Sequence, residues 1–235
     1  LLTGREFNGC VLSFQDVTEL RQKERQLGMQ NIIIQEINHR VKNTLQNVIS
    51  LLRLQMRRSK WKAVRREFTA TINRILSIAK VYEIFTYQYR DLVNLHDLAE
   101  YILEQVVQSY ILPDQKVKTM VQGQAVLIHA SQAVPVALVL NELVANSLEH
   151  GIKTDPHGEI SIIVKESDAN INVEVRDSGC GLWDYAAISK GGTLGLYIVK
   201  LLICEQLGGT FQFENCGQSV VANISFPVHK KEETG

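Results

Sequence analysis

The chain has 235 residues, 45% of them hydrophobic, with 25 basic and 25 acidic side chains. This length can bury one large or two modest cores. No apolar run approaches the roughly 18–20 residues that a transmembrane helix needs, so we expect a soluble protein without a membrane segment. Four cysteines and six histidines are dispersed along the chain, which argues against a disulfide framework or a zinc site and favours a reducing cytoplasm.

The N-terminal residues lack the charged and apolar regions of a signal peptide. Residue 1 is leucine, so we expect a piece of a longer chain. Partly alternating apolar and polar residues predict one strand over residues 6–16. We interpret residues 1–18 as the end of a preceding domain. Either Asp16 or Thr18 is predicted to cap the helix that follows.

Residues 19–90 show the pattern of two long amphipathic helices, separated by the polar stretch RRSKWK. Each carries apolar residues spaced three or four apart. The first seam comprises Ile34, Ile37, Val41, Leu45, Val48 and Leu52, and the second comprises Val64, Phe68, Ile72, Ile75, Ala79 and Tyr82. Two such helices with a short connection predict an antiparallel hairpin. Its wide uncovered apolar stripe favours a homodimer that forms a four-helix bundle.

Beyond the hairpin, helices and strands are mixed. We predict helices at about 95–110, 131–149 and 194–207, and strands near 116–121 and 125–129, in GEISIIVKES and INVEVRDSG, and in a C-terminal hairpin. This order predicts an α+β sandwich over residues 91–230, with one sheet and helices on one face. Residues 231–235 are predicted to be a disordered tail.

The balanced net charge conceals opposite charges in the two predicted domains. Residues 1–90 contain 16 Lys and Arg against 7 Asp and Glu, whereas residues 91–235 contain 9 against 18. The predicted hairpin is therefore basic and the predicted sandwich acidic, which makes the two complementary to each other.

His39 lies on the polar face of the first predicted helix. It is two residues from both Ile37 and Val41, which places it about 200° around the helix from each of these seam residues. A role in the core is therefore disfavoured, and metal binding lacks a second His or Cys four residues away. Two alternatives remain: an ordinary surface histidine, or a nucleophile whose neutral imidazole accepts a phosphoryl group.

The stretch NELVANSLEHG (141–151) places three polar side chains on one face of a predicted helix. Glu142, Asn146 and His150 follow an i, i+4, i+8 spacing. An amide and a carboxylate on one face suit Mg²⁺, which prefers oxygen ligands and keeps several waters. The same spacing also fits an ordinary solvated helix face.

Two glycine-containing stretches follow. DSGCG (177–181) comes directly after a predicted strand, so Asp177 can accept a hydrogen bond from an amine such as that of adenine, while the glycines permit close backbone approach. GGTLGL (191–196) opens a helix, and a helix N-terminus attracts phosphate. Each stretch alone also fits an ordinary turn or loop.

The order and spacing of these three stretches resemble the N, G1 and G2 boxes of the GHKL (Bergerat-fold) ATPases. EINHRVKNTLQNVISLLRLQ closely resembles the phosphoacceptor region of sensor histidine kinases of the second HisKA class, near the HWE kinases. GREFNGCVLSFQDVTEL is similar to the end of a PAS sensor domain. The likeness covers roughly residues 17–228. It implies two domains: an all-α antiparallel helical hairpin, dimerised as a four-helix bundle, and a GHKL-type α+β sandwich.

The resemblance also implies roles for the matching residues. It makes His39 the phosphoacceptor, Asn146 the Mg²⁺ ligand and Glu142 the group that orders water or metal. The implied ATP-binding residues are Asn146, His150, Asp177, Gly179, Gly181, Gly192, Thr193, Gly195 and Leu196. Glu36 or Asn43 is a candidate for orienting the imidazole. Arg40 and Lys42 either attract the phosphates or only solubilise the helix.

The implied function is that of a cytoplasmic, bacterial two-component sensor histidine kinase. It uses ATP and Mg²⁺ to phosphorylate His39 and passes the phosphoryl group to an Asp of a response-regulator receiver domain. Three alternatives stay open. The basic stretch RLQMRRSKWKAVRR (53–66) fits a nucleic-acid-binding adaptor, although the nucleotide motifs make this partner unlikely. The others are a GHKL ATPase that does conformational work and a pseudokinase scaffold.

Overall fold

A computed structural model describes residues 2–3, 6–7, 16–87, 92–110, 116–152, 157–167, 169–179, 194–215 and 219–228. The chain divides into two compact units, Leu1–Ile37 and Asn38–Gly235. No helix in these described ranges is long and apolar enough to cross a bilayer. The predicted tail at residues 231–235 lies outside the described residues.

The first unit contains a short strand pair and the start of a long helix. Strands β1 (Leu2–Thr3) and β2 (Glu6–Phe7) pair antiparallel. The remainder of the strand predicted over residues 6–16 lies mostly outside the described residues. Helix α1 covers Thr18–Arg58. The backbone N–H of Thr18 donates to Oδ1 of Asp16 at 2.9 Å, so Asp16 is the residue that caps it.

Helix α2 (Lys62–Tyr87) runs antiparallel to α1. Two side-chain pairs fix the register. Lys42 Nζ lies 3.2 Å from Glu83 Oε2, and the Thr69 hydroxyl donates to Met56 Sδ at 3.6 Å. Moving backward along α1 therefore corresponds to moving forward along α2, which confirms the predicted hairpin.

The apolar seam predicted on α1 is divided between two surfaces. Ile49 is 3% exposed and Asn38 is also buried, whereas Val48 remains 38% exposed. Val41 and Leu45 are half-buried. The inner face of α1 therefore lies toward Asn38 and Ile49, and part of the predicted seam faces outward in a single chain.

Helix α2 also packs against two helices that follow it within the second unit. It contacts α3 (Leu95–Tyr110) and α4 (Ala130–Asn146). Val81 of α2 belongs to the main hydrophobic core. The Asn73 side-chain amide is buried and donates to the Ser109 hydroxyl at 2.7 Å.

The remaining elements follow the predicted order, with one short strand before α3 that was not predicted and with π-helical segments at the ends of two predicted helices. They are β3 (Leu92–Asn94), α3, β4 (Lys118–Gly123), β5 (Leu127–His129), α4, a π-helical turn (Ser147–Gly151), β6 (Glu159–Glu166), β7 (Asn170–Asp177), α5 (Leu194–Lys200), a second π-helical segment (Leu201–Gln206), β8 (Thr210–Asn215) and β9 (Val220–Pro227).

A five-stranded sheet lies in the second unit, in the order β4–β6–β7–β9–β8. β4 and β6 are parallel, and the other neighbours are antiparallel. Strands β3 and β5 form a separate antiparallel pair. Alternate apolar residues of β6, β7 and β9, such as Ile162, Val173 and Ile224, are buried, as expected for a sheet with one covered face. The predicted α+β sandwich is confirmed.

Candidate functional site

Helix α4 supplies the wall of the candidate site. The helix is almost entirely buried from Val139 onward, including the polar side chains of Asn141, Glu142 and Asn146. A buried charge or amide is costly unless it is paired. The presence or absence of a partner for each of these three side chains therefore indicates what the site can bind.

Glu142 is held by three donors. Nε and Nη2 of Arg74 on α2 donate to its two carboxylate oxygens at 2.6 and 2.8 Å, and the Asn141 side-chain amide donates to Oε1 at 3.1 Å. This fork-to-fork geometry is the strong form of an Arg–carboxylate pair. The hydrogen bond with Glu142 raises the pKa of Arg74 despite partial burial.

Asn146, one turn after Glu142, has a buried side-chain Nδ2 without a hydrogen-bond partner. A buried amide that lacks a partner is expensive, and such groups mark places where a ligand is received. The nitrogen and the oxygen of a side-chain amide are assigned from their surroundings. The atom of Asn146 that lacks a partner can therefore be either its nitrogen or its oxygen. With its oxygen as that atom, beside the Glu142 carboxylate, the site has the oxygen donors that Mg²⁺ prefers.

Gly195 at the start of α5 closes the site from the opposite side. A Cβ at this residue would collide with Oε2 of Glu142 and lie 3.9 Å from Nδ2 of Asn146. The α5 backbone therefore approaches α4 as closely as glycine allows. Leu196, the next predicted residue, is buried. Gly192 and Thr193 lie outside the described residues.

The end of α4 departs from the predicted helix. The α-helix ends at Asn146, and a π-helical turn spans Ser147–Gly151, where we predicted regular helix to residue 149. Within this turn, both guanidinium nitrogens Nε and Nη2 of Arg66 donate to the carboxylate of Glu149. Single π turns of this kind are frequent at functional sites.

These residues line one open cavity of about 260 Å³. The predicted residues in its wall are Glu142, Asn146, His150 and Gly195, and residues that the sequence did not indicate are Arg66, Arg74, Tyr110 and Glu149. The predicted i, i+4, i+8 trio therefore does share one surface. Burial, with the charges of Glu149 and Glu142, raises the pKa of Tyr110, so its hydroxyl stays neutral.

Asp177 lies against Gly151, which directly follows the cavity residue His150 in the sequence. Its carboxylate is buried at the end of β7 and accepts a hydrogen bond from the Gly179 backbone N–H at 3.0 Å. A Cβ on Gly151 would lie 2.5 Å from Oδ1 of Asp177, and one on Gly179 would collide with the Gly151 backbone. The predicted close approach at Gly179 is therefore present. Gly181 lies outside the described residues.

The candidate acceptor lies elsewhere, on α1. His39, Asn43 and Glu36 are all exposed, so the predicted solvent-facing position of the imidazole is observed. Lys42, for which the sequence leaves open both phosphate attraction and a solubilising role, pairs with Glu83. His39 and Asn43 are not among the residues that line the cavity.

Two protein families match the chain. The family described as "Histidine kinase" matches residues 36–110, which contain His39 and α2. The family described as "Histidine kinase-, DNA gyrase B-, and HSP90-like ATPase" matches residues 131–230, which contain the cavity wall and the sheet. Residues 36–110 therefore belong to the histidine kinase family, and residues 131–230 belong to this ATPase family.

Curated relatives agree with these two family matches. The chain is 32% identical over 230 residues to the sensor histidine kinase PdtaS of Mycobacterium tuberculosis, covering 95% of the chain and 45% of the relative. A blue-light-activated histidine kinase of Rhizobium johnstonii is 25% identical over 212 residues, covering 90% of the chain and 58% of the relative. The chain thus spans about half the length of these relatives.

A solved structure shows the same fold. The histidine kinase domain of a blue-light-activated histidine kinase from Erythrobacter litoralis superimposes with a TM-score of 0.60 at 20% identity, covering 87% of this chain and 94% of that one. The likeness includes both the helices and the sandwich, since it extends over most of the chain.

Proposed function

We propose that this chain is the kinase core of a two-component sensor histidine kinase, which phosphorylates His39 from MgATP. The observation that carries the proposal is the unpartnered buried amide of Asn146 beside Glu142, in a chain that also presents an exposed histidine on a hairpin helix. His39 lies within the segment that matches the histidine kinase family, and Asn146 lies within the segment that matches the ATPase family, which supports the proposal.

The roles of the cavity residues follow from their chemistry. Asn146, with Glu142, would hold the Mg²⁺ that neutralises the triphosphate. Asp177 would accept a hydrogen bond from the adenine amine, since its buried carboxylate stands at the strand end beside Gly151. His150 and Gly195 would line the path between the two ends of the nucleotide.

At His39, an imidazole nitrogen would form the new N–P bond. The bond from the γ-phosphorus to the β,γ-bridging oxygen breaks, ADP leaves, and the imidazole loses one proton. Such a transfer depends on positioning and charge neutralisation more than on covalent help from the protein. Glu36 or Asn43 would orient the ring, and Arg40 would attract the phosphates.

The phosphoryl group would then pass to an Asp of a receiver domain on a response regulator. The surplus of basic residues in the first 90 positions suits an acidic receiver pocket. ATP and such a receiver would place the reaction in the bacterial cytoplasm. In this proposal residues 1–18 end a PAS-like sensor, residues 19–90 form the dimerisation hairpin and residues 91–230 bind ATP.

The proposal is tested by labelling with γ-³²P-ATP and Mg²⁺. Wild type should acquire acid-labile, alkali-stable label. His39→Gln should bind the nucleotide without labelling, whereas Asn146→Ala should lose both binding and label. Label that persists in His39→Gln would place the acceptor elsewhere and contradict the proposal.

A further inference from the structure

Two arginines of the hairpin reach the wall of the nucleotide cavity. Arg74 makes a two-pronged ion pair with Glu142, and Arg66, two turns earlier on α2, makes a second with Glu149. Both pairs join α2 to the helix that carries Asn146. In chemical terms, the basic hairpin neutralises the acidic wall of the cavity.

The inner pair uses the group that the nucleotide requires. Glu142 is 4% exposed, and Arg74 donates to both of its carboxylate oxygens while Asn141 donates to Oε1. Arg74 itself lines the same cavity as Asn146 and Gly195. A Mg²⁺ ion that takes an oxygen of Glu142, directly or through water, therefore competes with the Arg74 guanidinium for the negative charge of this carboxylate.

The packing of α2 against α4 also keeps the nucleotide cavity away from the acceptor, His39. The pairs Lys42–Glu83 and Met56–Thr69 define the hairpin register, and extending it places His39 level with residue 86 of α2. That level is about 18 Å along the helix axis from Arg74. In-line transfer requires reacting atoms about 3–3.5 Å apart.

A second copy does not remove this separation. In a four-helix bundle whose two-fold axis runs along the helices, the acceptor histidine of the second copy lies at the same height as that of the first. The observed docking therefore holds the nucleotide cavity out of reach of either acceptor. The phosphorylating arrangement requires the sandwich to move along the hairpin.

We propose that the Arg74–Glu142 and Arg66–Glu149 pairs form a latch, which holds the kinase in a resting state and which MgATP opens by competing for Glu142. The proposal rests on the proposed function, because it assumes that the cavity takes MgATP. Linkage then requires that whatever weakens the latch strengthens nucleotide binding.

The test compares full chains carrying Arg74→Gln, Arg66→Gln or Glu149→Gln, with calorimetry of Mg²⁺ and a non-hydrolysable ATP analogue. Removing either side of a latch has the same effect, so all three variants should bind the analogue more tightly, by about 5-fold or more. Arg57→Gln is the matched control, because Arg57 is exposed on α1 and its loss changes charge equally. Amide exchange in α2 around Arg66–Arg74 should rise when the analogue binds wild type.

The sign of the effect separates a latch from a phosphate-binding role. If the arginines bind phosphate, both Arg→Gln variants bind the analogue more weakly while Glu149→Gln binds it more tightly, and the latch is overturned. Unchanged affinity in all three, or no binding in any form, overturns it too. Failure of the proposed kinase function looks different: the variants tighten binding, yet His39 takes no label from ATP.

Discussion

Gly195 shows how one residue sets the geometry of the candidate Mg²⁺ site. It stands against the carboxylate of Glu142 and the amide of Asn146, at a separation that leaves no room for a side chain. The motif predicted a helix start that attracts phosphate, and the structure adds a close approach of Gly195 to Glu142. It allows two helices to meet where a small cation and phosphate oxygens would fit.

We therefore expect Gly195→Ala to displace the Glu142 carboxylate and weaken binding of a Mg²⁺–nucleotide complex by at least about 10-fold, or about 1.4 kcal/mol. Calorimetric titration with MgADP measures this. Gly28→Ala is the control, because a Cβ at Gly28 meets nothing within 4 Å and an exposed helical alanine stabilises by about 1 kcal/mol. Wild-type affinity in Gly195→Ala would show that α5 does not shape the site.

Motif spacing identified the residues of α4 and β7 but missed their partners on α2. Glu142 and Asn146 stand four apart on one helix, which is a local pattern. Arg74 pairs with Glu142 across 68 positions of sequence, and no local pattern indicates such a contact. Arg66 lies within the basic stretch that suggested a nucleic-acid partner, and the structure shows it donating to Glu149 instead.

At the scale of elements, helix periodicity was informative for α2. Its inner face is set by Ile72, which is 5% exposed, and by Ala79, whereas Val64 near the start of the helix is 41% exposed. Helix α2 as a whole contacts α3 and α4. Its burial therefore increases from the exposed first turns toward the middle of the helix.

Truncation of this seam should have position-dependent effects. Ile72→Ala removes buried methyl and methylene groups and should lower the free energy of unfolding by about 2–4 kcal/mol. Val64→Ala, a matched truncation on an exposed turn, should change it by no more than about 0.5 kcal/mol. Urea denaturation of both variants and wild type checks the difference. Equal losses would mean that α2 does not form part of the cooperative unit.

The π-helical turns were the elements that sequence reasoning could not supply. A π turn replaces an i→i+4 hydrogen bond by i→i+5 over a few residues, and this barely alters the pattern of apolar residues. The predicted helix to residue 149 therefore became a regular helix to Asn146 followed by the Ser147–Gly151 turn. That turn directs Glu149 to Arg66 and brings Gly151 against Asp177.

At the scale of the whole molecule, charge asymmetry predicted complementary domains, and the structure shows where the complementarity is used. Two basic residues of the hairpin make these contacts. Arg66 and Arg74, two turns apart on α2, form ion pairs with Glu149 and Glu142 on the cavity wall. The net charges of the two parts of the sequence predicted that they would attract each other. The identity of the pairs depended on how α2 packs against α4, which is a tertiary property.

The outward face of α1 indicates assembly. Val48, Leu51 and Leu54 are 38, 64 and 47% exposed and lie within one arc of the helix, largely on the side away from the inner face that contains Ile49. A contiguous exposed apolar stripe on a hairpin helix fits the seam of a four-helix bundle. We infer that a second copy of this chain covers it.

Leu51→Glu should therefore convert a dimer into a monomer, because a carboxylate in the centre of a bundle seam is desolvated without a partner. Sedimentation velocity at micromolar concentration measures the assembly state. Gln46→Glu is the control: it adds one negative charge on the exposed polar face of α1, where a bundle leaves room for solvent, and it should remain dimeric. A wild-type chain that sediments as a monomer would contradict the dimer. The resting geometry would remain, since about 18 Å separates Arg74 from the level of His39 within a single hairpin.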